Sequence, residues 1–224
     1  MVCLCSSLFF LGLYQFNNKY SQNTIQAANG ILALSEEELQ KSPVRFLVSG
    51  WAFYPDALLT PEEIRDESHY MRYLSIGEQT NFSSPANPSP YGCGTYQMTF
   101  FLPERKEVYA LEIPEVFSAY NLYLDHDLIL QMGEPAQGKP LVQNRMVTFH
   151  GGKPVTLTIA VSNYDHFYGG IVYPPAFGTM LAVNTTRGIR FAFCLFSCTV
   201  TFVCALLSFY FSRRMKQKNT FLFG

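Results

Sequence analysis

Charge is scarce in this 224-residue chain: Asp, Glu, Lys and Arg make up 15% of it, against about 25% in an ordinary soluble domain. The 16 basic and 17 acidic residues leave a net charge of −1. That balance lacks the basic surface with which a nucleic-acid binder neutralises phosphates. Cysteine is nearly missing from the middle, where Cys93 stands alone; Cys3 and Cys5 lie in one apolar end, and Cys194, Cys198 and Cys204 in the other. No disulfide can close inside the middle, and without a C-x-x-C pair zinc-ribbon and thioredoxin-like readings fail. G-x-S-x-G, Walker A, H-E-x-x-H and G-x-G-x-x-G are all missing, so the enzyme classes they mark have no local support. Tryptophan occurs once, yet 48% of residues are hydrophobic and 16% aromatic, which excludes intrinsic disorder.

The apolar residues concentrate at the ends. Positions 191–211 read FAFCLFSCTVTFVCALLSFYF, 21 residues without a charge, proline or glycine. As a helix this run covers about 30 Å, the hydrocarbon thickness of a bilayer. Arg187 and Arg190 precede it; Arg213, Arg214, Lys216 and Lys218 follow it. The heavier positive flank puts the C-terminal side in the cytoplasm and the preceding domain outside the cell membrane. Export needs a signal, and residues 2–16 (VCLCSSLFFLGLYQF) have the size of a signal-peptide core or clipped anchor. No Lys or Arg stands ahead of them, and the nearest small residues for cleavage are Ala27 and Ala28. Either Met1 lies inside a longer reading frame, or the segment stays as an uncleaved anchor. An exported domain without disulfides is more usual in bacteria than on animal cells, so the sequons at Asn81 and Asn184 carry little weight.

Between about residues 42 and 177 the apolar period is two. Tyr96, Met98, Phe100 and Leu102 alternate with Thr95, Gln97, Thr99 and Phe101, and Leu157, Ile159 and Val161 with Thr156, Thr158 and Ala160. Strands are also expected at 44–53, 108–113, 119–124, 128–131, 146–149 and 171–177, rich in β-branched and aromatic residues and broken by Pro, Gly, Asn and Asp. Two short helices interrupt them. One opens on a capping box, Ser35 with Glu38, and the other on Thr60-Pro61-Glu62-Glu63 with proline at the first helical position. The expected fold is all-β, a jelly-roll β-sandwich followed by a transmembrane α-helix. Residues 83–90 (SSPANPSP) read as an ordered surface loop. The domains are 1–28, signal or anchor; 29–186, sandwich; 187–213, membrane helix; and 214–224, a basic loop and the start of a second helix.

Chemistry-bearing residues are few. Asp125-His126-Asp127 contains metal-ligand types, but between two apolar strands it reads as a tight hairpin turn, and no metal or other cofactor is expected. Glu112, Glu115, Asp125 and Asp165 carry no feature that marks a glycosidase carboxylate pair. Trp51 is expected in the core. The ligand-binding expectation falls on Asn163, Tyr164, Asp165, His166 and Tyr168. That loop gathers an amide, a carboxylate, an imidazole and rings after a strand, and Gly169 and Gly170 permit close backbone approach. Such mixtures bind sugars, rings stacking on C–H faces and planar polar groups taking hydroxyls. The competing reading is an aromatic loop that plugs the end of the sandwich or rests on the membrane surface.

Two stretches carry a resemblance. Val48-Ser49-Gly50-Trp51-Ala52-Phe53-Tyr54-Pro55, then Gly92-Cys93-Gly94-Thr95-Tyr96 with Phe101-Leu102-Pro103, Leu111-Glu112-Ile113-Pro114 and Ser118-Ala119-Tyr120-Asn121-Leu122-Tyr123-Leu124, form one. Val161-Ser162-Asn163-Tyr164-Asp165-His166 with Gly169-Gly170 is the other. Together they resemble the galactose-binding-like outer domain of bacterial seven-transmembrane receptors with diverse intracellular signalling modules. The likeness spans roughly residues 44–224. The same domain shape resembles the sugar-binding module of family 2 glycoside hydrolases.

The resemblance implies a sensor that binds a carbohydrate or envelope-derived small molecule and passes the event to a helix bundle and an output module. That module would be a histidine kinase, a cyclase or a cyclic-dinucleotide enzyme. It implies a chain truncated after its first transmembrane helix, with Asn219-Thr220-Phe221-Leu222-Phe223-Gly224 as the start of the second. Implied partners are the ligand, the membrane and a second copy in a homodimer, with no nucleic acid. The alternative is a membrane-anchored carbohydrate-binding module of the glycosidase-associated type. Neither reading is an enzyme.

Overall fold

The computed structural model describes residues 8, 11–12, 18–20, 24–66, 69–77, 82 and 89–215. Most of the expected signal or anchor at 2–16, most of the proline loop at 83–90, and the expected second-helix start at 219–224 lie outside the described residues.

Period-two patterning builds the centre of the molecule. β5 (Gly92–Phe101) and β10 (Val155–Asn163) pair antiparallel, placing Met98 opposite Leu157 and Tyr96 opposite Ile159, all buried. β7 (Ala119–Leu124) flanks β10 and returns through the two-residue turn Asp125-His126 into β8 (Asp127–Met132). On the other side of β5 lie β3 (Trp51–Pro55), then β4 (Arg72–Leu74), while the short β1 (Ile31–Ala33) pairs parallel with the end of β5. The smaller sheet runs β2 (Val44–Phe46), β11 (Ala176–Thr179), β6 (Tyr109–Ile113), β9 (Arg145–Phe149).

One hydrophobic cluster takes residues from both sheets. Phe177 is its hinge point: its ring lies 5.1 Å from Phe100 on the large sheet and 5.7 Å from Tyr109 on its own. Each such side chain contributes about 1.5–3 kcal/mol by leaving water. Trp51 is fully buried and donates its Nε1–H to the Leu47 carbonyl at 3.0 Å. The result is the expected all-β sandwich of antiparallel sheets, followed by an apolar helix.

Both expected helices form. α1 (Glu36–Lys41) carries the complete Ser35/Glu38 capping box, and Arg45, buried, donates to the Glu38 and Ser42 carbonyls at its C-terminal end. α2 (Pro61–Asp66) is capped reciprocally, with Thr60 N–H on Glu63 Oε2 at 2.7 Å and Glu63 N–H on Thr60 Oγ1 at 3.4 Å.

Two strand expectations are corrected. The run 44–53 is two strands in different sheets, broken at Gly50, whose φ is +81°. A Cβ there would stand 2.0 Å from the Ala27 carbonyl oxygen. The run 171–177 shrinks to β11, because Pro174 and Pro175 have no N–H to give a ladder. β1 and β4, three residues each, were too short for periodicity to register.

The chain divides into two compact units, Met1–Val183 and Asn184–Gly224. The helix α3 (Met180–Met215) follows β11 with no intervening residue. Its stretch Met180–Phe211 is long and apolar enough to cross a membrane; its most apolar 18-residue window has a mean hydropathy of 2.2, and none of that window is buried. Thr199 and Thr201 return their hydroxyls to the carbonyls of Leu195 and Ser197, so these polar groups are satisfied within the helix itself.

Candidate functional site

The loop that leaves β10 is built around one amide. Asn163 is buried; its Nδ2 donates to the Pro90 carbonyl at 2.8 Å and the His166 carbonyl at 2.6 Å, and its Oδ1 accepts the His166 N–H at 3.1 Å. Both donors are thereby spent inside the protein. Of the five expected ligand-binding residues, Asn163 therefore holds the loop in shape.

The glycines act the same way. A Cβ on Gly169 would lie 2.2 Å from the Pro90 carbonyl oxygen, and one on Gly170, at φ +79°, 2.3 Å from the Tyr96 hydroxyl. The close approach they permit is to the protein's own groups. Tyr96 beneath them has its phenol pushed up to about 12 by burial, so it stays protonated.

The other four residues are brought to the surface. Tyr164 and Asp165 are exposed, with the Tyr164 ring lying directly on Gly138. His166 stacks on Phe117 with centroids 4.8 Å apart and planes 9° from parallel. Tyr168 lies 5.7 Å from His166 and 6.3 Å from Phe117, and Tyr173 6.5 Å from Phe117. The Tyr168 N–H donates to His166 Nδ1 at 3.1 Å, which makes Nδ1 the acceptor and puts the ring N–H of the neutral imidazole on Nε2. Phe167 projects beyond them, 70% exposed. Phe117 and Tyr173, unmarked in the sequence reading, complete an aromatic platform.

The platform sits where β10 ends and β7 begins, since Ser162 pairs with Ala119. It is also where β6 ends and β11 begins. Residue 180 lies at the other end of those two strands, where the Met180 N–H donates to the Val108 carbonyl. The rings of this loop stand outside the core cluster.

Asp125-His126 forms the expected hairpin turn. Asp125 has φ +55° and accepts the Thr156 N–H at 2.8 Å, while His126 Nδ1 lies 2.8 Å from Glu62 Oε1.

No family model matches this chain, and no curated protein matches it. Among solved structures it is similar to a β-glucuronidase of Faecalibacterium prausnitzii at 17% identity, over 62% of this chain and 32% of that one, with a TM-score of 0.44. A family 2 β-galacturonidase of Eisenbergiella tayi, bound to galacturonate, is similar at 14% identity over 60% of this chain and 24% of that one, TM-score 0.43. A family 2 glycosyl hydrolase of Bacteroides cellulosilyticus follows at 12% identity over 61% and 20%, TM-score 0.49. The chain thus spans a third or less of the length of these structures.

Proposed function

We propose that the protein is a membrane-anchored, extracytoplasmic ligand-sensing domain without catalysis of its own, which takes a carbohydrate or envelope-derived small molecule on the aromatic platform. The observation that carries this reading is the platform itself: exposed rings held from beneath by three hydrogen bonds of one buried amide. Exposed aromatic surface is costly to keep in water and marks a binding face. Surface already fixed in shape loses little entropy when a ligand arrives. Rings present a flat apolar face to sugar C–H bonds, and His166 Nε2 and the Tyr168 hydroxyl stand ready for hydroxyl groups. Asp165 adds an acceptor at the rim.

The sandwich, residues 29–186, lies outside the cytoplasm on this reading. Residues 187–213 cross the membrane, and 214–224 begin the cytoplasmic side. Ligand binding shifts the helix only by its differential affinity for two states.

The test uses the full chain in lipid nanodiscs, titrated with a panel of plant, peptidoglycan and lipopolysaccharide oligosaccharides. A fluorophore on Cys204 reports the helix, with the other cysteines changed to Ser. We expect saturable binding, a fluorescence change, and an affinity loss of about tenfold in Phe167→Ala/Tyr168→Ala. Binding with no fluorescence change would leave a carbohydrate-binding module without signalling. Binding indifferent to the double variant would remove the platform.

A further inference from the structure

The outer face of the large sheet, turned from the core, carries the polar half of the alternation: Gln97 and Thr99 on β5, Thr156 and Thr158 on β10. The segment 57–66, including α2, is strapped across it. Thr95 Oγ1 accepts the Leu59 N–H at 2.9 Å and donates to the Ala57 carbonyl at 2.8 Å. At the other end of the strap Glu62 meets His126 of the β7–β8 turn. Between strap and sheet remains a cleft of about 510 Å³, within the range of roughly 300–1,000 Å³ for small-molecule sites.

Its walls differ in kind. Pro61 and Ile64 form an apolar roof; Gln97, Thr99 and Thr156 form a polar floor. On that floor Gln97 donates one amide hydrogen to Thr158 Oγ1 at 3.3 Å and keeps another. The Thr99 and Thr156 hydroxyls lie 3.1 Å apart and share one hydrogen bond, which leaves one hydroxyl hydrogen for a ligand. Each charged neighbour has one partner: Arg65 Nε with Asp66, Asp125 Oδ1 with the Thr156 N–H, His126 Nδ1 with Glu62. An apolar roof over a floor of paired donors and acceptors, with charges of both signs at the rim, fits a neutral polyhydroxylated ring.

We propose that this cleft is a second binding site, for a neutral saccharide unit. It stands independently of the platform, from which it is separated by seven residues of β10, about 20 Å at the strand rise. The sugar's C–H face would lie against Pro61 and Ile64 and its hydroxyls on the threonines and Gln97, with the strap as lid.

The experiment is saturation-transfer NMR on the full chain in detergent micelles with glucose, galactose, mannose, N-acetylglucosamine, cellobiose and maltose, and with glucuronate and glucose 6-phosphate as charged counterparts. We expect at least one neutral sugar to bind saturably. Thr99→Val/Thr156→Val, nearly isosteric, should weaken it by about tenfold with the melting midpoint kept. Ile64→Trp, which fills the cleft from the roof, should give the same loss and serves if the valine pair does not fold. Binding by charged sugars alone, no binding by any neutral sugar, or a neutral sugar indifferent to both cleft variants would each overturn the proposal. A sugar lost in Phe167→Ala/Tyr168→Ala but kept in both cleft variants belongs to the platform and removes the cleft; a sugar lost in the cleft variants alone belongs to the cleft, and the platform is then judged by its own titration.

Discussion

The core phenylalanines of the sandwich and the phenylalanines of the helix behave in opposite ways. In the sandwich Phe53, Phe100 and Phe177 are 0% exposed, whereas in the helix Phe191, Phe196 and Phe202 are 71%, 66% and 64% exposed. The sandwich hides its rings because a period of two sends every second side chain to one face, and a second sheet covers that face. The helix is apolar on all sides, so no single covering element in its own unit could bury it. The same residue type is thus solved internally in one unit and left to the surroundings in the other. On our proposal those surroundings are lipid, and the rings of α3 belong to the bilayer rather than to the protein's core.

That contrast can be broken most directly in the core. Phe100→Ala should cost the sandwich about 3–5 kcal/mol, while Phe196→Ala should change it by less than about 0.5 kcal/mol. Urea unfolding of the full chain in detergent, followed by Trp51 fluorescence, reads both; equal losses would refute the division into two media. A finer cut separates buried from displayed groups within the loop. Asn163→Ala leaves the part-buried carbonyls of Pro90 and His166 without their donor and should cost about 1–3 kcal/mol. Amide exchange at His166 and Tyr168 should accelerate, whereas Asp165→Asn, exposed, should alter neither. The mildest test concerns the strap. The Glu62 carboxyl is held below its ordinary value by a hydrogen bond from its own backbone N–H, then by His126. Its contribution is therefore complete above the unfolded value and is lost as pH falls through the lower folded one. Exchange protection of residues 57–66, corrected for intrinsic chemistry, should hold through the ordinary carboxylate range and fall only as pH drops below it. In Glu62→Gln that step should flatten.

Much of the fold was legible because its signals are local. The alternation in 95–102 and 156–161, the Ser35/Glu38 box and the Thr60-Pro61 helix start each depend on residues within a few positions. The turn at Asp125-His126 and the core position of Trp51 followed the same way. What failed was non-local. Nothing near Gly50 announces that the chain changes sheets there; the constraint comes from Ala27, more than twenty residues earlier. Asn163 was legible as a polar residue in an aromatic loop but not as its clamp, since Pro90, the acceptor that fixes it, is supplied from before β5. Phe117 and Tyr173 carried no mark because Phe117 meets His166, and Tyr173 meets Phe117, only once the two sheets have closed on each other.

Sequence by itself determined the two media: an all-β middle without disulfides and a charge-free run long enough for a bilayer. These follow from composition and period, which every window of the chain carries. Tertiary structure alone decided which polar groups are spent and which are offered. It turned Asn163, Gly169 and Gly170 inward, assembled the aromatic platform from two loops, and laid α2 over Gln97, Thr99 and Thr156 to make a cleft. Hydrogen bonds and ring contacts of that kind join residues dozens of positions apart, and only the closed sandwich brings them within reach.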